Sequence, residues 1–124
     1  MSDPIDLVIN LNASTNDLNQ HQASCLRTAQ YPNVGRNYIY PTLGLLGEAG
    51  EIANKLKKVQ RDSAGVLTQE HKEALKAELG DVLWYVSVLA FELGYSLAGV
   101  AAANLAKLAD RAARGTISGS GDNR

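Results

Sequence analysis

The chain has 124 residues and a formal net charge of −1. That length fits one domain with a modest core, and that balance excludes a general electrostatic pull toward nucleic-acid polymers or anionic membranes. A single cysteine, Cys25, excludes an internal disulfide framework, suits a reducing compartment and, with no histidine at a useful spacing, reads as an ordinary thiol.

Residues 1–12 read as an N-terminal extension in which Ile5-Asp6-Leu7-Val8-Ile9 fits a short extended segment. Met1-Ser2-Asp3-Pro4 lacks a basic n-region, and Asp6 and Asn10 interrupt the apolar residues that follow, so no signal peptide is expected. Ser14, Thr15 and Asn16 offer caps for a first helix running to about Gln30, and Tyr31-Pro32-Asn33-Val34-Gly35 breaks the chain. Thr42 reads as the cap of a second helix from about Leu43 to Arg61, where Leu45, Ala49, Ile52, Leu56 and Val59 step by three and four. Asp62-Ser63-Ala64-Gly65 makes a loop, and Thr68 caps a third helix that ends at Gly94. Ser96 caps a fourth, to about Arg114, and residues 115–124 read as a flexible tail. The longest apolar run, Val82 to Phe91, is broken by Ser87 and too short to span a bilayer. The expectation is a single all-α domain over residues 1–124, a four-helix bundle, soluble and cytoplasmic, with a cleft completed by self-association because the subunit is small.

Two acidic pairs carry the chemistry. Glu48 and Glu51 on the second helix and Glu78 and Asp81 on the third each have i, i+3 spacing, so each pair shares one helical face. Around the second pair, Leu75, Leu79, Val82, Leu83, Val86 and Leu89 make the helix apolar over most of its circumference, which predicts burial in a core. Acids there need counter-charge, and matching cations are too few, so a bound divalent ion is the natural partner. All four donors are oxygens, which suits Mg²⁺, Mn²⁺ or Ca²⁺. A di-iron carboxylate bundle would use Glu-x-x-His, and that histidine is missing from both pairs. Ordinary surface acids are the plainer alternative. Against it stand the apolar setting and the interior glycines Gly47, Gly50 and Gly80, each costing about 1 kcal/mol relative to alanine. Small residues there would let a helix or a ligand approach closely.

Leu43-Gly44-Leu45-Leu46-Gly47-Glu48-Ala49-Gly50-Glu51, followed by Glu78-Leu79-Gly80-Asp81-Val82-Leu83-Trp84-Tyr85, resembles the MazG-like nucleotide pyrophosphohydrolases, whose signature is Glu-x-x-Glu, a spacer and Glu-x-x-Asp. The likeness continues through Asn104 to Arg111 and the tail Arg114-Gly115-Thr116-Ile117 to Arg124, so it spans most of the chain from about Cys25 onward. The resemblance implies an all-α fold, a homodimer or homotetramer, and hydrolysis of a (deoxy)nucleoside triphosphate to the monophosphate and pyrophosphate. It assigns Glu48, Glu51, Glu78 and Asp81 to Mg²⁺, with Mn²⁺ as a possible substitute, and Glu48 or Glu51 to the attacking water.

Lys55 and Lys58 share the carboxylate stripe, and both phosphate contact and i, i+4 ion pairing stay open for them. Tyr85, four after Asp81, faces the carboxylates, where it fits either substrate contact or a core tyrosine; Trp84 points away and reads as packing or an interface anchor. Asn104, Lys107 and Arg111 form one polar stripe on the fourth helix, and the resemblance turns them toward phosphate. Gln22, Arg27 and Gln30 on the first helix are candidates for base selection, and Arg124 for a tail that closes over the substrate. A nucleotide or metal sensor without turnover, or a helical interaction module whose acids form only salt bridges, are the competing functions.

Overall fold

Short oxygen-bearing side chains, Asp17, Thr68 and Ser96, cap three of the four helices described. The structure, a computed structural model, describes residues 17–115 and 118–122. Among them are four helices and no strand: α1 (Leu18–Leu26), α2 (Ile39–Asp62), α3 (Gln69–Glu92) and α4 (Leu97–Ala113). Thr68 caps α3 by accepting from the His71 N–H, while His71 Nδ1 accepts from the Thr68 N–H, which closes a capping box. Ser96 caps α4 by accepting from the Gly99 N–H. Both caps are the expected ones.

The first two helices depart from expectation. Asp17 caps α1, accepting from the N–H groups of Asn19 and Gln20; Ser14, Thr15 and Asn16 lie outside the described residues, as does the extension 1–12. The helix stops at Leu26 instead of Gln30, because Thr28 and Ala29 donate to the carbonyls three residues back and Thr28 Oγ1 adds a bond to the Cys25 carbonyl. Next, α2 starts four residues early, at Ile39. Pro41 sits in its first turn, where the missing N–H has no intrahelical partner to lose. Asn37 Oδ1 accepts from the Tyr40 N–H there, and Thr42 Oγ1 donates back to the Tyr38 carbonyl instead of capping.

The α2–α3 pair forms an antiparallel hairpin. Glu78 meets Lys55 at one level, and Tyr85 meets Gly44 at another, so positions rise on one helix as they fall on the other. Each helix has 24 residues, about 36 Å of length. Across the far end of α3 lies α1, and α4 packs against α1 and α3 but not α2. Gly94, at φ +84°, ends α3: its N–H donates to the Phe91 carbonyl and the Tyr95 N–H to the Ala90 carbonyl, a closure that needs a left-handed residue.

Packing concentrates at this corner. Cys25, Leu26, Tyr31 and Val88 form the buried cluster, with Ala29, Trp84 and Phe91 against it. Gln22, 1% exposed, donates from Nε2 to the carbonyls of Ser87 and Tyr95 and accepts from the Leu97 N–H. Asn19 Oδ1 takes the next N–H, that of Ala98. Side chains of α1 thereby satisfy the open first turn of α4. Glu92 does the same for the 31–37 loop, accepting from the Tyr31 hydroxyl and from the N–H groups of Gly35 and Asn37.

The hairpin is barer than its sequence predicts. On α3 only Ser87, Val88 and Ala90 are buried, and Leu79 and Leu83 are 58% and 41% exposed. On α2 only Pro41 and Val59 are buried, and Leu43 and Leu46 stand open. The reason is coverage: α1 and α4 gather at one end of α3, and α2 covers only one side of the remainder. Among the described residues no single helix is long and apolar enough to cross a membrane.

Candidate metal centre

Glu48 from α2 and Glu78 and Asp81 from α3 come together, each offering a carboxylate oxygen within 4.8 Å of the others. Helical spacing sets the pair on α3 one turn apart, and the antiparallel register lays Glu48 against them. Glu48 and Glu78 are half-buried and Asp81 exposed. Burial pushes the Glu48 carboxyl above its ordinary value; the hydrogen bond it shares with Glu78 and the charges of Asp81, Glu78 and Glu51 push in the same direction. Glu51 stands outside the three, exposed and one turn further along α2, within electrostatic reach of Glu48.

The setting of these acids corrects one expectation. They lie on a partly open face, not in a core: of the apolar residues around Glu78 and Asp81, Leu79 and Leu83 are exposed and Leu75, Val82, Val86 and Leu89 half-buried. The glycines beside them also differ from expectation. A Cβ at Gly47, Gly50 or Gly80 would meet nothing within 4 Å, so no neighbour in this chain requires their smallness. Gly44 does have such a neighbour: a Cβ there would lie 2.2 Å from Cε1 of Tyr85. The Tyr85 ring therefore rests directly on the α2 backbone. The close approach expected at Gly47, Gly50 and Gly80 is found instead at Gly44, because the register of the hairpin decides which glycine faces a neighbour.

Tyr85 lines a hollow of about 280 Å³ with Glu48, Asp81 and Trp84. Burial raises its hydroxyl pKa, as do the nearby Tyr40, Glu48 and Asp81. Trp84 meets Tyr85 edge-on at 5.0 Å and donates from Nε1 to Thr28 Oγ1, so it is a packing residue facing α1. Tyr40 stacks on Tyr31 at 5.0 Å, which fixes the start of α2 near the Tyr85 side of the site.

Lys55 pairs across the hairpin: its Nζ is 3.4 Å from Glu78 Oε1, an acid of the other helix and not of its own. Lys58 lies near Asp62 and contributes to holding that carboxyl below its usual value, after the larger effect of the hydrogen bond from Arg61. Asn104 and Lys107 line a separate groove of about 650 Å³ with Tyr95, Ser96 and Val100, while Arg111 is buried against Asp122. Within one chain the stripe on α4 does not meet α2, which carries Glu48 and Glu51.

On α1, Gln22 is closed to a nucleotide, because both polar atoms of its amide are committed to the α3–α4 turn. Arg27 and Gln30 are exposed beyond the helix end, and Arg124 lies outside the described residues. Cys25 does have a histidine at helical spacing: its Sγ is 3.4 Å from His21 Nε2, a pairing that the i, i+4 interval permits and the sequence reading passed over. Burial nonetheless raises the thiol pKa, against the smaller lowering by its hydrogen bonds, so the thiol stays protonated and unreactive.

A family model for the MazG nucleotide pyrophosphohydrolase domain matches residues 40–115, a span that holds all of the hairpin but Ile39, all four acids and α4. The chain is also 52% identical, over 109 residues, to the Gene 37 protein of Mycobacterium phage L5; the match covers 84% of this chain and 96% of that protein. No solved structure matches.

Proposed function

This chain belongs to the MazG nucleotide pyrophosphohydrolase family, and on that premise we propose that it hydrolyses a (deoxy)nucleoside triphosphate to the monophosphate and pyrophosphate with Mg²⁺. The observation that carries the reading is the convergence of Glu48, Glu78 and Asp81 within 4.8 Å at the meeting of α2 and α3.

The donor set fits a hard divalent cation. Three carboxylate oxygens are close enough to share one ion, there is no sulfur or imidazole among them, and positive charge would offset the burial and the crowding that raise the Glu48 pKa. Glu48, Glu78 and Asp81 would hold the ion, Glu51 would complete the set from the next turn, and Mn²⁺ would serve in its place. When bound, Mg²⁺ withdraws charge from the triphosphate and lowers the pKa of a coordinated water. The remaining work falls to the chain's own groups. Glu48 or Glu51 orients the attacking water and accepts its proton. Tyr85, fixed over Gly44 at the edge of the carboxylates, borders the substrate. Lys55 neutralises Glu78 and is near enough to exchange that contact for a phosphate oxygen. Asn104, Lys107 and Arg111 supply further phosphate contacts from α4. The uncovered Leu43, Leu46, Leu79 and Leu83 fit a homodimer or homotetramer, in which a second copy would close the open side of the hairpin.

Incubation with a panel of nucleoside and deoxynucleoside triphosphates plus Mg²⁺, with chromatographic separation of products, tests the reading. Monophosphate and pyrophosphate are expected. Diphosphate with orthophosphate would overturn the reaction, and tight binding without turnover would assign a sensor instead.

A further inference from the structure

Away from the carboxylate cluster, two cations of α4 share one carboxylate from the C-terminal segment. Lys107 Nζ lies 3.3 Å from Asp122 Oδ1. Arg111 Nη2 donates to the same oxygen at 3.2 Å and to the Asp122 main-chain carbonyl at 2.8 Å. Being four residues apart on a helix, the two cations present their ends on one face.

The partners differ in how they are held. The Arg111 side chain is 4% exposed and that of Asp122 80%. The guanidinium is therefore built into the protein, while the carboxylate reaches it from the solvent side. The hydrogen bonds from Arg111 and then Lys107 hold the Asp122 carboxyl below its usual range, so it is ionised at neutral pH. Lys107 also lines the groove of about 650 Å³ bounded by Tyr95, Ser96 and Asn104, a volume in the range of small-ligand sites. Asp122 is paired with the cation that lines this groove, Lys107, and an incoming anion would seek the same cation and, behind it, Arg111.

We propose that residues 118–122 form a latch, in which Asp122 occupies the anion position of Lys107 and Arg111 and a phosphate-bearing ligand displaces it. This inference rests on the assignment of those two cations to phosphate. A carboxylate offers one oxygen to both cations here, whereas a pyrophosphate end carries more charge and more acceptor oxygens, so exchange favours the phosphate. The Lys107–Asp122 contact is exposed, and an exposed ion pair contributes little by itself, which is the property a displaceable contact requires. The bond from Arg111 to the Asp122 carbonyl does not depend on the side-chain charge, so removing the charge weakens the latch without removing the segment.

Inorganic pyrophosphate is the probe, titrated calorimetrically in Mg²⁺ buffer into the full chain and into Asp122→Asn and Lys107→Gln. Asp122→Asn is expected to bind about two- to fivefold more tightly than the unaltered protein, and Lys107→Gln more weakly. Equal or weaker binding by Asp122→Asn, with weakening in Lys107→Gln, overturns the latch and leaves the phosphate assignment standing. Undiminished binding by Lys107→Gln, or no binding by any of the three proteins, overturns the phosphate assignment and the latch with it.

Discussion

At the corner where α1 crosses the α3–α4 turn, long side chains bond the main chain of other segments: the Gln22 amide meets two carbonyls and an N–H, and Glu92 collects three donors. On the α2–α3 hairpin, like charges are crowded instead: Glu48, Glu78 and Asp81 converge, with Lys55 as the cation bonded to Glu78. The corner also buries its apolar residues, whereas the hairpin leaves leucines on both helices open. Polar pairing of this kind lowers the free energy of the folded chain. Crowded carboxylates raise it unless a cation intervenes. The comparison separates the part of the molecule that holds the fold from the part whose crowded acids oppose it.

Substitutions in the two regions should therefore have opposite signatures. The largest effect is expected from Glu48→Gln: removing one oxygen ligand should lower kcat/KM about a thousandfold, the scale of several kcal/mol of lost charge stabilisation. Its thermal stability without metal should be equal to or above that of the parent, because repulsion within the cluster falls. Steady-state kinetics beside a melting curve reads both, and a marked loss of stability would show that the cluster supports the fold.

Gln22→Ala should do the reverse. It leaves the carbonyls of Ser87 and Tyr95 and the N–H of Leu97 without their partner, which should cost about 2–4 kcal/mol in denaturant unfolding, while kcat/KM below the melting temperature stays near that of the parent. Gly44→Ala tests the boundary between the regions. Its Cβ would collide with the Tyr85 ring, at a cost of about 1–3 kcal/mol, and KM should rise if Tyr85 borders the substrate. Combining it with Tyr85→Ala should give less than the sum of the two costs, and strict additivity would show that the ring does not constrain Gly44.

The smallest effect is the pH response of the hairpin. The Glu48 carboxyl titrates above its ordinary 4.5 in the folded chain, so the folded state binds the proton more tightly than the unfolded one. The stabilisation from that proton is full below 4.5 and is lost as pH rises through the raised value. Metal-free protein should therefore melt at a lower temperature as pH increases across that window. Mg²⁺ at neutral pH should restore stability by mass action, and both responses should shrink in Glu48→Gln. Melting curves at several pH values, with and without Mg²⁺, measure this. A pH-independent transition would place the Glu48 proton elsewhere.

Local signals accounted for much of the fold. Thr68, Ser96 and Gly94 mark the boundaries of α3 and α4 because capping and left-handed closure depend on residues adjacent in the chain. Such signals were weaker around α2, where Thr42 read as the cap and Pro41 proved compatible with a first helical turn held by Asn37. The i, i+3 spacing put Glu78 and Asp81 on one face, and three of the four acids do meet. The roles of Gln22 and Glu92 were not legible, because their partners lie more than fifty residues away and an amide or a carboxylate carries no mark of what it will bond.

By itself the sequence determined the helical class, most helix ends, the acidic pairs and the family, since each depends on residue type and interval along the chain. The tertiary structure alone decided that Lys55 pairs with Glu78 across the hairpin, that Gly44 carries Tyr85, that Gln22 serves the α4 terminus, and that Asp122 lies on Lys107 and Arg111. It also decided that the leucines around the acids are open. A helical pattern states which face is apolar, and only the placement of the other helices states whether anything covers it.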